Sequence, residues 1–298
     1  MTLVQSDHWM NDQTPHPAAL PPGVSLTADI EFARPQGQAL TLDLYRPDQD
    51  GDVPVVVFIF GGAWMKGDKT SVRAANGPLH LTAHGFAVAA LSYRLSQTAR
   101  FPAQIRDVKS GIAFLRRESF RLGLDAERFA AFGPSAGGHL AALAGVTDGV
   151  DTFEPGEPGH PLGTSVQAVV DFYGPTDFLQ MDTHSITHPN GAQLVHDEAD
   201  SPESRLIGGP IQDNPGLAAV ANPLTWLNRQ APPFLAIHGD ADPLVPFNQS
   251  ELLIEGLARE GVPHEFVRVR GGGHGQGAGF DTGALDPVVA AFLGKHLT

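Results

Sequence analysis

No cysteine occurs anywhere in the 298 residues. That excludes disulfides, a thiol nucleophile and thiolate zinc sites, and it removes cysteine usage as a guide to redox compartment. Basic residues are scarce as well: 19 Lys and Arg stand against 33 Asp and Glu, a formal charge of −14. Nucleic acid and anionic membrane surfaces need basic patches, so neither is an expected partner. A strongly anionic substrate is disfavoured too unless its site is locally basic; the ordinary use of such a surplus is solubility. No run approaches the ~18 consecutive apolar residues of a membrane span. The start, Met1-Thr2-Leu3-Val4-Gln5-Ser6-Asp7-His8, has neither a basic opening nor an apolar stretch behind it. No secretory signal is therefore expected, and the expected location is cytoplasmic. Internal repeats are absent, and the only low-complexity tract is the glycine run 271–273.

What is present is ordinary for a globular chain: 42% apolar and 17% charged residues. The length suffices for one large α/β domain or two small ones. Residues 1–24 are rich in proline and read as an extended arm, with Trp9 and Met10 either anchoring it or folding over a pocket. Residues 25–298 read as one domain. Strand signals fall at 26–32 and 39–45, which alternate apolar and polar, and at 53–60 and 87–93, which are continuously apolar. Four more follow at 128–133, 166–173, 234–238 and 265–270. Helical patterns lie between them at 103–122, 136–146, 249–260 and 287–297, the first with Ile105, Val108, Ile112, Leu115 and Phe120 near helical spacing. The fold class is α/β, with an eight-stranded, mostly parallel sheet and helices on both faces. Two segments, 147–165 and 175–231, break the alternation. Both are expected to leave from the C-terminal ends of strands, where α/β sheets bind ligands, and 175–231, after the sixth strand, reads as a lid or binding loop.

The chemistry centres on Gly133-Pro134-Ser135-Ala136-Gly137, a G-x-S-x-G pentapeptide between a strand and a helix. A serine in that turn is forced into a strained conformation that lifts its hydroxyl off the sheet, and small flanking residues let strand and helix pass in contact. A serine hydroxyl is a poor nucleophile near neutral pH, so it needs a base and an acid to orient that base. In chain order the acid follows, then the histidine. The run His238-Gly239-Asp240-Ala241-Asp242-Pro243 offers two acids. Asp242, deeper in the loop and fixed by Pro243, is the expected triad acid, and Asp240 is expected to cap loop amides. Of thirteen histidines, His274 in Gly271-Gly272-Gly273-His274-Gly275 alone lies just past the last strand in the right order, and it is the expected base. The oxyanion needs backbone donors. Ala136 is one; Gly61 and Gly62 of Phe60-Gly61-Gly62-Ala63-Trp64 are the others, with Gly62 and Ala63 an alternative pair.

Weaker signals are set aside on physical grounds. His80 and His84 stand four apart on a helical stretch, but no acid accompanies them in a zinc-binding pattern, so packing or surface roles are expected. His184, His188 and His196 with Asp197, Glu198 and Asp200 read as a solvated loop. No metal and no cofactor are expected. Gly271–Gly273 is followed by no helix start and is a poor phosphate cradle.

With these residues placed, the chain resembles the serine esterases of the α/β-hydrolase superfamily. It is most similar to the bacterial carbohydrate acetyl and feruloyl esterases, near the hormone-sensitive-lipase-like enzymes. The resemblance runs from about Gly37 to the C-terminus and rests on the motifs above. Further carriers are Gly67-Asp68-Lys69, Ser92-Tyr93-Arg94-Leu95, Phe101-Pro102-Ala103-Gln104, Phe172-Tyr173-Gly174-Pro175-Thr176-Asp177 and Ser201-Pro202-Glu203-Ser204-Arg205-Leu206-Ile207-Gly208-Gly209. It implies a carboxylic-ester hydrolase acting through an acyl-enzyme on short-chain, aryl or carbohydrate esters. Amide or formamide hydrolysis, peptidase activity and a non-catalytic binding module of the same fold are the alternatives. Phe60, Trp64 and Tyr173 are the expected substrate-binding residues. One departure stands out: relatives usually carry His where Phe60 stands, so apolar packing is expected to stiffen the loop in place of a hydrogen bond.

Overall fold

The structure, a computed structural model, describes residues 20–74, 77–155, 163–185, 194–277, 279–280 and 283–297. Trp9, Met10, His188 and most of the expected arm lie outside the described residues. Eight strands form one sheet: β1 (Val24–Ala33), β2 (Leu40–Pro47), β3 (Val53–Ile59), β4 (Ala87–Leu91), β5 (Leu124–Pro134), β6 (Ala168–Phe172), β7 (Phe234–Gly239) and β8 (His264–Val269). Their order is β1-β2-β4-β3-β5-β6-β7-β8. The β1–β2 and β2–β4 pairings are antiparallel, and every other pairing is parallel. All eight strands predicted from the sequence are present. In β3, β4, β6 and β7 nearly every residue is buried, which requires cover on both faces of the sheet.

Helices supply that cover. They are α1 (Ala103–Arg117), α2 (Ser119–Leu122), α3 (Ala136–Val146), α4 (Met181–His184), α5 (Pro202–Ile207), α6 (Pro215–Ala221), α7 (Asn248–Glu260) and α8 (Asp286–His296). α1 packs on α3, while α8 packs on the 3-10 turn Pro78–His84. The single helix predicted over 103–122 is two, because the backbone turns out of helical geometry at Glu118. The break re-phases the apolar face: Leu122 packs inward, and Phe120, expected on that face, is 94% exposed. The segment 147–165 also departs from expectation. It starts at the far end of α3 and re-enters at the beginning of β6, so its described ends sit at the edge of the sheet opposite the strands' C-terminal ends. Only 175–231 leaves from a C-terminal strand end. It carries α4, α5 and α6 with the 3-10 turns Phe178–Gln180, Ile211–Asp213 and Pro223–Thr225.

The glycines of α3 explain how a helix fits so tightly against β3 and β5. All eleven of its residues are buried. A Cβ on Gly133 would fall on the backbone of Gly137, and one on Gly137 would fall on the carbonyl of Ile59 and within 2.8 Å of Phe60 O. Backbone cannot yield as a flexible side chain does. Gly137→Ala is therefore expected to lower stability by about 3 kcal/mol, the upper part of the usual overpacking range. Urea unfolding measures it, and an unchanged midpoint would refute the packing argument.

Candidate active site

The parallel strands all end on one edge, and their register sets those ends side by side: Pro134 opposite Phe172, Phe172 opposite Ile237, and Gly239 opposite Val269. The loops that follow β3, β5, β6, β7 and β8 carry the predicted site residues.

β5 runs directly into Ser135, whose φ of 55° and ψ of −125° lie far from helix or strand geometry. Its amide is tied to Phe172 O at 2.7 Å. Ser135 is not alone in this strain: Ala63, Trp64 and Tyr173 also take positive φ, of 54°, 55° and 44°. Side-chain-bearing residues avoid that region, so its recurrence along one edge marks where the fold holds backbone in place against local preference.

Two loops bring the other members to Ser135. The acid loop after β7 and the glycine loop after β8 are zipped together by Ala241 N to Gly272 O at 3.0 Å and Asp240 N to Val269 O at 3.1 Å. Asp240 accepts from Gly271 N at 2.6 Å and from Arg268 Nε at 2.7 Å, the amide-capping arrangement expected of it. Asp242 turns inward and is 1% exposed. Its Oδ2 accepts from His274 Nδ1 at 2.7 Å, and His274 Nε2 lies 2.9 Å from Ser135 Oγ. The three residues predicted at 135, 242 and 274 thus form one hydrogen-bonded line across three loops. Asp242 Oδ1 accepts from Leu244 N at 2.8 Å and Val245 N at 3.0 Å. Burial alone would raise this carboxyl, but the charge of His274 and the contacts from the His238 and His274 imidazoles outweigh it and hold Asp242 well below the usual carboxylate range.

Gly61 lies against the nucleophile: a Cβ there would come within 2.8 Å of Pro134 O and 3.3 Å of the Ser135 Cβ. Gly62 has φ of 111°, and a Cβ would fall on Lys66 O. Among the described residues, the N–H groups of Gly61, Gly62 and Ala136 meet no loop or side-chain acceptor. Ala136 opens α3, where helical geometry itself leaves the N–H unpaired. Gly61 thus lies against Ser135 and Ala136 follows it, each with an amide free to donate beside the nucleophile. Downstream, Lys69 ties the same loop to Asp29 at 2.6 Å and to Asp43 of β2.

Phe60 and Trp64 lie beneath this loop, 2% and 1% exposed. Phe60 stacks on Tyr93 with ring centroids 4.1 Å apart, and the Tyr93 hydroxyl donates to Phe60 O at 2.9 Å. The apolar packing expected of Phe60 is present. Trp64 meets His139 and Phe178 edge-on at 5.2 and 5.5 Å. Tyr173 is 6% exposed and its ring sits 4.5 Å from that of His274; a Cβ on Gly275 would fall on its hydroxyl. These three aromatics back the loops of the site.

Two histidines have roles that the sequence reading missed. His238 ends β7 fully buried, with Nε2 3.0 Å from Val245 O and 3.2 Å from Asp242 Oδ2, and Nδ1 2.7 Å from Ser250 Oγ. A signal existed: it is the polar end of an otherwise apolar strand that leads into the acid loop. His196, read as part of a solvated loop, is instead 1% exposed, with Nδ1 3.1 Å from Glu203 Oε1. Burial alone would lower it, but Glu203 outweighs burial and raises it, and Asp182 and the Leu244 backbone of the acid loop add to the rise. The insert is fastened twice more. His139, one turn beyond Ser135, lies 2.7 Å from Ala221 O, and burial pushes it down to about 4. Gln249 of α7 accepts from Thr176 N and Asp177 N at 2.8 and 2.7 Å. Of the other histidines, His80 lies against Gly77 O and Asp286, and His184 against Gln180 O. Among the described residues no group of His, Asp and Glu is arranged to hold a metal ion, and no helix is long and apolar enough to cross a membrane.

Comparison with known proteins gives the family and the fold. The BD-FAE family model matches residues 42–257. Esterase LipC of Mycobacterium tuberculosis is 34% identical over 81% of this chain and 58% of its own length. The probable carboxylic ester hydrolase LipM of the same organism is 36% identical over 77% and 51%. This chain therefore spans little more than half the length of these curated relatives. Among solved structures, a truncated carbohydrate esterase from gut microbiota superposes with a TM-score of 0.79 at 30% identity, covering 91% of this chain and 96% of that one. The sheet order, the serine elbow and these matches together show that the chain belongs to the BD-FAE family and has the α/β-hydrolase fold of its esterase relatives.

Proposed function

We propose that the protein is a serine carboxylic-ester hydrolase that works through an acyl-enzyme. The observation that carries this reading is the line from Ser135 Oγ through His274 to Asp242, at 2.9 and 2.7 Å. In the proposed reaction His274 Nε2 takes the Ser135 proton as Oγ attacks the ester carbonyl. The Asp242 carboxylate stabilises the imidazolium and keeps Nδ1–H pointing toward itself. The amides of Gly61, Gly62 and Ala136 receive the oxyanion. His274 then returns the proton to the leaving alkoxide, and an alcohol departs. Water, deprotonated by the same imidazole, attacks the acyl-serine; the intermediate collapses, the carboxylic acid is released and the imidazolium returns its proton to Ser135 Oγ.

The substrate class follows from the relatives' esterase and carbohydrate-esterase names together with the charge of −14. Uncharged, short-chain esters of small alcohols, phenols or sugars fit best. The insert 175–231 is proposed to line the alcohol side, and Phe60, Trp64 and Tyr173 to set the pocket through the loops they support. A fluorophosphonate probe followed by peptide mapping tests the reading, alongside p-nitrophenyl acetate and the matching anilide. Label on Ser135 with faster turnover of the ester is expected. An unlabelled, inactive protein would favour a binding module, and an anilide cleaved as fast as the ester would favour an amidase.

A further inference from the structure

Asp242 has a second imidazole beside it, and the proposed reaction does not use it. His238 Nε2 faces only acceptors, Val245 O at 3.0 Å and Asp242 Oδ2 at 3.2 Å, so Nε2 carries the proton. Nδ1 must then accept, and the Ser250 hydroxyl on α7, 2.7 Å away, is the donor. The acceptors at Nε2 set this tautomer, and Ser250 satisfies Nδ1 in it. That Nε2–H donates to the carbonyl of Val245, and it lies 3.2 Å from the oxygen of Asp242 that also receives His274. The amides of Leu244 and Val245 hold the other oxygen. One side chain thus braces both the carboxylate and the loop whose amides orient it.

We infer that His238, held by Ser250, is a positioning residue for the acid of the site. It fixes the direction of Asp242 Oδ2 and draws part of its charge away from His274. This inference rests on the proposed serine-hydrolase reading and adds a fourth and a fifth member to its line, Ser250–His238–Asp242–His274–Ser135. Among the described residues, the ionisable groups facing it from other elements are Tyr173, after β6, and the His196–Glu203 pair, which reaches Leu244 from the insert. Burial and the charge of Asp242 raise the Tyr173 phenol, so it stays neutral and adds no charge to the line.

The sign of the effect follows. A protonated His274 cannot accept the Ser135 proton. Removing the His238 donor leaves more charge on Oδ2, favours that protonated form, and moves the loss of activity on the acid side to higher pH. Profiles of kcat and kcat/KM against pH on p-nitrophenyl acetate test this in purified variants whose folding is checked by circular dichroism. For His238→Phe, kcat is expected to fall about 10- to 100-fold with KM within about twofold, the pattern of a misplaced catalytic group. Its acid limb is expected to rise by about half a pH unit. His238→Gln, which restores an N–H near the Nε2 position, recovers most of both. Ser250→Ala shifts both in the same direction by less, and it decides the matter if His238→Phe does not fold. A folded His238→Phe or a Ser250→Ala with wild-type kcat and acid limb overturns the inference, as does a folded His238→Gln no better than His238→Phe. Loss of label and activity in Ser135→Ala tests the underlying reading separately: if it holds while these profiles stay unchanged, only the role of His238 fails.

Discussion

Ser135→Ala is expected to lower turnover of p-nitrophenyl acetate by at least about 10⁴-fold while leaving the fold intact. The change removes one oxygen. Its side-chain partner is His274, so no buried donor or acceptor elsewhere is orphaned. The strained backbone at 135 is set by the turn between β5 and α3 and by the amide bond to Phe172, and alanine inherits both. Substrate affinity should be nearly unchanged, because the proposed oxyanion donors at 61, 62 and 136 are backbone groups. What remains is the catalysis those donors supply without a nucleophile. Steady-state kinetics on protein free of host esterases measures the loss, and a residual rate within tenfold of wild type would remove Ser135 from the mechanism.

Asp242→Asn is expected to reduce kcat almost as far, by about 10⁴-fold. Asparagine is nearly isosteric but brings an NH₂ in place of one oxygen. The loop decides which way it points. The amides of Leu244 and Val245 need an acceptor at Oδ1, so the NH₂ occupies the Oδ2 position. There it meets His274 Nδ1–H and His238 Nε2–H, donor against donor. His274 escapes by moving its proton to Nε2, which then faces Ser135 as a donor and cannot act as a base. Asp240→Asn is the internal comparison. Asp240 braces Gly271 and Arg268 from the outside of the same loop, and its replacement is expected to change kcat by less than about tenfold. Similar losses for the two variants would mean that the acid has been assigned to the wrong residue.

Residues that obey strong local rules were legible before any coordinates. The parallel strands are apolar runs because both faces are covered, and Ser135 announces itself by the glycines that its turn and the helix contact demand. Order along the chain pointed to His274 and to the 238–243 loop, and depth in that loop with Pro243 singled out Asp242 from Asp240 for the proposed line. Tertiary context overrode local pattern elsewhere. Phe120 matches a helical face, but the break at Glu118 turns it to solvent. The segment 147–165 looked like a loop of the active edge because its composition is loop-like; which edge it occupies depends on the direction of α3. His196 sits among acids in a polar stretch, and only the fold reveals that Glu203 and the acid loop enclose it. His238 was hidden for the opposite reason, since a lone histidine in a buried strand reads as core until its neighbours are known.

The three fastenings of the insert bear on how specificity in such a protein can change. Segment 175–231 is anchored on the helix that begins at the nucleophile, on the loop that carries the acid and on α7, which also bears Ser250. It is therefore not an exchangeable cassette. Transplanting a relative's insert to import its substrate range would alter the footing of Ser135 and Asp242 along with the pocket. If the insert lines the alcohol side as proposed, new selectivity is more readily reached by single substitutions at its exposed positions, with Ala221, His196 and Thr176 kept as fixed points.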